Sequence, residues 1–218
     1  MVDREAVITR VRQPASAAVA GIIFALILGT VILLMRSVVP ALPEELGTWS
    51  EDAGRRDTVN LALSLIPFAG IAFLWFIAVL RAQVGSAEDR FIGTVFLGSG
   101  LVFVAMLFAA AAALKAVLSL QDSGVALPSE TRAFGWALAA ALLGSFGTRM
   151  AALFIATAAT AGRRSGAIPK WIAYLGYLAA VLLLLTPPLP TFVQFLFPLW
   201  VLVLSGYLLT GAAARRRA

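Results

Sequence analysis

The chain has 218 residues, 61% of them hydrophobic and only 13% charged, and its mean hydropathy is +0.95. Soluble domains carry about 25% charged residues, so the apolar surplus has to face lipid. That excludes an ordinary cytosolic enzyme, a disordered chain and a secreted disulfide scaffold. The net charge is +6, but the basic residues sit in short connections between apolar runs, the pattern of membrane topology rather than of nucleic-acid binding.

The chain has no cysteine and no histidine. No disulfide framework, thiolate metal site or redox thiol is expected. Haem ligation by paired histidines, an HExxH metalloprotease and a Ser-His hydrolase are excluded in the same way. No GxxxxGK[ST] loop occurs, so no P-loop nucleotide site is expected. Neither a cofactor nor a metal is implied, and no residue qualifies as catalytic.

A spanning helix needs about 20 mostly apolar residues, and six segments qualify. They lie at about 15–39, 59–80, 91–117, 133–161, 169–186 and 190–212. The expected fold is an all-α, polytopic transmembrane bundle forming a single integral membrane domain over 1–218. The first segment exceeds the 7–15 residues of a signal-peptide core and reads as an uncleaved span. Before it, VDREAVITRVRQP has the makings of a short amphipathic helix on anionic lipid. Pro14 would then suit the first turn of the span.

The connection at about 40–58 is the longest. Pro43, Glu44 and Glu45 suit a short helix start, and Trp49 suits the interface. A solvated loop is favoured over an external cap or partner site. The connection PPLP at 187–190 is very short and makes the fifth and sixth spans an antiparallel hairpin. No internal repeat is evident, so the inverted-repeat design of many transporters is unsupported.

Eleven bases fall on one side of the six spans: three in the N-terminal tail, then Arg81, Arg90, Arg163, Arg164, Lys170 and Arg215 to Arg217. Five fall on the other: Arg36, Arg55, Arg56, Lys115 and Arg132. The positive-inside rule makes the first side cytoplasmic, with both termini inside. Seven of the eleven acids lie on the opposite side, and none lies within a span. Proton or sodium coupling through a buried carboxylate is therefore disfavoured.

Arg149 is the exception among the bases. It stands 17 residues after Arg132 and 14 before Arg163, roughly 20–25 Å from each at 1.5 Å per residue, near the middle of the fourth span. Ser145, Ala152 and Ala156 form a small-residue strip beside it, so Arg149 is expected to face the bundle interior. Backbone carbonyls, water and the polar side chains Tyr174, Tyr177, Gln194 and Ser64 are its candidate partners. Pro67 and Pro198 free the carbonyls of Leu63 and Gln194, and kinks there would line a shallow outward cavity. Arg149, Ser145, Gln194, Tyr174 and Tyr177 thus form a candidate anion site. The plainer alternative, which is favoured, is an Arg that caps carbonyls or snorkels. Arg36 and Lys115 read as interfacial snorkels.

Gly93, Gly98 and Gly100, then Gly144 and Gly147, then Gly206 and Gly211 read as close-packing surfaces, as do Ala109 to Ala113. No strict GxxxG occurs among them, and GSG at 98–100 lacks the context of a dinucleotide loop.

The stretch from Gly147 to Leu185 resembles a segment of small bacterial integral membrane proteins of uncharacterised function. An RMA-x-x-F helix end is followed by a basic turn and P-[RK]-W-x-A-x-x-G-Y. The residues concerned are Arg149, Met150, Ala151, Phe154, Pro169, Lys170, Trp171, Ala173, Gly176 and Tyr177. Phe91 to Ala112 has a similar flavour. The resemblance covers about a third of the chain and implies no activity. The 15 arginines against two lysines suit a GC-rich, actinobacterial-like genome, which implies a bacterial inner membrane. The leading functional expectation is a non-enzymatic accessory or lipid-associated bundle whose partners are membrane lipids, other subunits or further copies. The alternative is a small permease or channel that uses Arg149. An intramembrane lipid-modifying enzyme is the least favoured, because no general base lies in a span; Glu88 and Asp89 better suit the solvated start of span three.

Overall fold

A computed structural model describes residues 4–38, 52–84, 90–185 and 193–217, with the backbone alone for 4–17, 84 and 212–217. Within these residues all regular structure is helical. The elements are α1 (Arg4–Val38), α2 (Ala53–Val84), α3 (Arg90–Asp122), α4 (Ser129–Ala140), a π-helical turn (Ala141–Gly147), α5 (Thr148–Arg164), α6 (Lys170–Leu185), a 3₁₀ turn (Val193–Phe195) and α7 (Leu196–Arg217). The stretch 40–51, PPLP at 187–190 and the pair Glu88 and Asp89 lie outside the described residues.

The helices outrun the apolar windows. α2 starts at Ala53, because Asp52 caps it: its Oδ1 accepts the backbone N–H groups of Gly54 at 2.8 Å and Arg55 at 3.2 Å. Such a cap satisfies donors that the first helical turn leaves open. The expected loop over 40–58 is thus shorter at its C-terminal side. α1 runs unbroken from Arg4 through Pro14, so Pro14 does not open the span. α3 closes on Gly124, whose φ of 77° suits glycine. Around it Val125 N–H reaches the carbonyl of Leu120 and Gly124 N–H that of Gln121, a Schellman closure.

Neighbouring helices pair in opposite directions. Along α2 and α3, Asn60 meets Lys115, Gly70 meets Phe108, and Ile77 meets Gly100. Along α1 and α7, Gly21 meets Ser205 and Arg36 meets Gln194. The start of α1 and the end of α7 therefore lie at the same end of the bundle. α5 packs on α3 and α6, and α1 on α2 and α7. Trp200 in α7 donates its indole N–H to the carbonyl of Ile172 at 3.2 Å and lies against Gly176.

The centre is filled by phenylalanine. Phe73 of α2 stacks on Phe24 of α1 with centroids 4.5 Å apart and meets Phe154, Phe197 and Phe103 edge-on at 5.0, 5.4 and 5.5 Å. One cluster of rings therefore joins α1, α2, α3, α5 and α7. In lipid the apolar effect between spans vanishes, so shape-matched packing of this kind holds the helices together. The glycines divide. Gly100 lies within 2.6 Å, from a notional Cβ, of the Ile77 side chain, and Gly147 is likewise enclosed. Gly98, Gly206 and Gly211 have open space beside them. Gly98 sits on the exposed side of α3 and is no packing surface, and Gly206 and Gly211 meet no close neighbour among the described residues.

Five rods are long and apolar enough to cross a membrane: Ala18–Val38, Ala53–Gln83, Arg90–Asp122, Ser129–Arg164 and Val193–Gly211. The fourth comprises α4, the π turn and α5 in one continuous stretch. The expected fifth span is the shorter helix Lys170–Leu185, of 16 residues. At 1.5 Å per residue its length is about 24 Å, less than the ~30 Å hydrocarbon core.

Candidate functional site

The π-helical turn at Ala141–Gly147 is invisible to hydropathy, which reads 133–161 as an uninterrupted span. A π turn inserts a residue into the helical ladder and commonly marks functional positions. Here the N–H and the hydroxyl of Thr148 both reach the carbonyl of Leu143, the hydroxyl at 3.0 Å. The side chain of Arg149 folds back along the same helix, and its Nη1 donates to the carbonyl of Ser145 at 2.6 Å.

Arg149 is exposed on the outer surface of the bundle. The expectation that it faces the interior is therefore corrected. The reason is the direction of the small-residue strip: Ala151 and Ala152, together with Phe154, Ile155, Ala158 and Ala159, form the buried face of α5. Arg149, Leu153, Ala156, Thr157, Thr160 and Arg164 recur at three- and four-residue spacing on the other face, none of them buried. The outer side of a spanning rod thus carries a stripe of polar groups.

Part of this stripe is satisfied internally. Thr157 donates to the carbonyl of Leu153 at 2.7 Å and Thr160 to that of Ala156 at 2.8 Å. The Thr160 hydroxyl also meets the hydroxyl of Tyr177 on α6 at 3.0 Å, where the Tyr174 and Tyr177 rings lie 6.3 Å apart. Tyr177→Phe combined with Thr160→Val in a double-mutant cycle should give a coupling of about 0.6 kcal/mol, as for typical interhelical hydrogen bonds in membranes. Unfolding in detergent measures it, and a coupling of zero would show that the two hydroxyls do not bond.

The sequence-expected anion site does not assemble as one place. Ser145 contributes its carbonyl to Arg149. Tyr177 pairs with Thr160, 11 residues along the chain from Arg149, or about 16 Å along the helix axis. Tyr174 is exposed. Gln194 lies in the 3₁₀ turn before α7, where its Oε1 faces Nη2 of Arg36 at 3.5 Å, the long limit of a hydrogen bond. Ser64 is occupied by the carbonyl of Leu61. Pro198 falls in the first turn of α7, a position where proline is tolerated, so it is no mid-span kink. Pro67 does lie within α2.

Three polar residues passed unnoticed in the sequence. Thr160 was legible as the same helical face as Arg149. Asn60, the only asparagine of the chain, accepts from Nζ of Lys115 at 2.7 Å. Ser205 is fully buried, and its hydroxyl has no hydrogen-bond partner among the described residues. No group of three or more acids that would hold a metal occurs among the described residues.

The fold and the distribution of polar groups define a helical, apolar, membrane-embedded class of protein. Comparison of the chain with family models, curated proteins and solved structures returns no match.

Proposed function

We propose that this protein is a non-enzymatic accessory subunit of a bacterial inner-membrane complex, docking on its partner through the exposed face of α5. In this reading the five long rods and the shorter α6 all cross the bilayer, and both termini are cytoplasmic, as the distribution of Lys and Arg favours. The observation that carries it is Arg149: a guanidinium midway along a spanning rod, exposed, whose one acceptor among the described residues is a carbonyl of its own helix. A guanidinium has five donors, and its placement at the bilayer centre costs about 2.5–3.5 kcal/mol on insertion scales. A carboxylate on a partner helix offsets that cost. A second copy of this chain is poorly placed to supply it, because the acids on its rods, Asp57, Asp122 and Glu130, all stand in the first or last turns, away from the depth of Arg149. The partner is therefore a different polypeptide with an Asp or Glu in a spanning segment.

The permease alternative draws less support. The ring cluster fills the space between the helices, and Arg149 lies outside it, so a solute path would have to run between copies.

The test is native mass spectrometry after gentle extraction from the native membrane. A stoichiometric second polypeptide is expected, lost on Arg149→Leu while the variant remains folded. A lone, monodisperse wild-type chain would sink the proposal, as would full retention of the partner by Arg149→Leu.

A further inference from the structure

Beside Pro67, α2 and α3 line a groove of about 290 Å³, its walls including Asn60, Ser64, Pro67, Phe108, Ala112 and Lys115. That volume is at the lower end of small-molecule sites. The ring of Phe108 forms one wall because Gly70 opposite has no side chain to displace it. Below Asn60 and Lys115 the lining is aliphatic and aromatic but for Ser64, whose hydroxyl is spent on the carbonyl of Leu61. Such a slot suits a hydrocarbon chain and offers water almost nothing.

The mouth is different. Asn60 stands seven residues inside the start of α2 and Lys115 seven residues inside the end of α3, so each lies about 10 Å from its helix end. A snorkelling lysine would extend past the helix to the interface. Lys115 instead reaches across to α2, where its Nζ donates to Oδ1 of Asn60. This anchors an ammonium over the groove, with Asn60 as its one acceptor among the described residues and three donors in all.

We propose that the α2–α3 groove binds one anionic phospholipid, with an acyl chain between Pro67 and Phe108 and the headgroup phosphate on Lys115. The occupant follows from charge and shape together: an apolar slot opening sideways from the bundle, closed at one end by a fixed cation. The inference is independent of the α5 docking face.

The experiment places the purified protein in nanodiscs of equimolar phosphatidylglycerol and phosphatidylcholine and ejects it for native mass spectrometry. Wild type should retain phosphatidylglycerol about fivefold over phosphatidylcholine, the preference expected of one lysine near a lipid phosphate. Lys115→Gln should bring the ratio near unity with lipid still bound. Ala112→Phe, which fills the slot and leaves the charge in place, should lose the retained lipid, with helix content and monodispersity checked in parallel. Equal retention of both lipids by wild type overturns the proposal. So does an unchanged ratio in Lys115→Gln, or undiminished retention by a folded Ala112→Phe.

Discussion

Phe73→Ala is expected to lower the unfolding free energy in detergent by about 3 kcal/mol, at the lower end of the range for deleting a buried aromatic ring. Phe73 is fully buried and touches rings from α1, α3, α5 and α7. Removing it leaves a cavity where those helices converge. In lipid the transfer part of the usual cost shrinks, but lost dispersion and aromatic pair terms of about 0.5–1.5 kcal/mol each remain. Phe68, on the same helix, is 61% exposed and faces outward. Phe68→Ala should change stability by less than about 0.5 kcal/mol, as substitutions away from packed features do. Chemical denaturation of the two variants side by side measures the contrast. Equal losses would mean that the ring cluster does not organise the bundle.

Gly21→Val should be comparably damaging, at about 3 kcal/mol, for the opposite reason: overpacking. A side chain at Gly21 would run into Ser205 on α7 and lie 2.8 Å from the ring of Phe76 on α2. Ser205 is itself wholly enclosed and has no room to yield. α1 would have to withdraw from both neighbours, which loosens the pairing that brings its start beside the end of α7. Gly29, eight residues further along α1, has nothing within 4 Å of a notional Cβ. Gly29→Val should therefore be almost neutral. Thermal unfolding of the purified variants, with monodispersity checked by size exclusion, distinguishes the two. A Gly21→Val protein as stable as Gly29→Val would rule out the close approach of α1 and α7.

The helices were legible in the sequence because lipid demands long apolar runs, and charge within such a run is rare enough to single out Arg149. What its guanidinium meets was partly legible. The carbonyl one turn back was among the expected partners, and a residue four positions away on a helix is always near. The side of the bundle on which it sits was not. Small residues beside an Arg are compatible with either face, and the packing of Phe154 and Ile155 decided which one turns inward. The π turn escaped notice because hydropathy is insensitive to one extra residue in a hydrogen-bond ladder. The Lys115–Asn60 bond joins residues 55 apart in the chain, and no local pattern announces such a pair.

Composition and spacing alone determined that this is an all-helical membrane chain without cysteine or histidine chemistry, and where its apolar runs lie, although α1 and α2 begin 11 and six residues ahead of those runs. Tertiary structure decided which face of each rod is buried, which glycines receive a neighbour, and that the polar stripe of α5 and the cation of Lys115 lie on the outside. The physical reason is the solvent. In water a helix writes its buried face into the sequence as an apolar stripe against a polar one. In a bilayer both the core and the surroundings are apolar, so the choice of inner face rests on shape and is settled only when the helices meet.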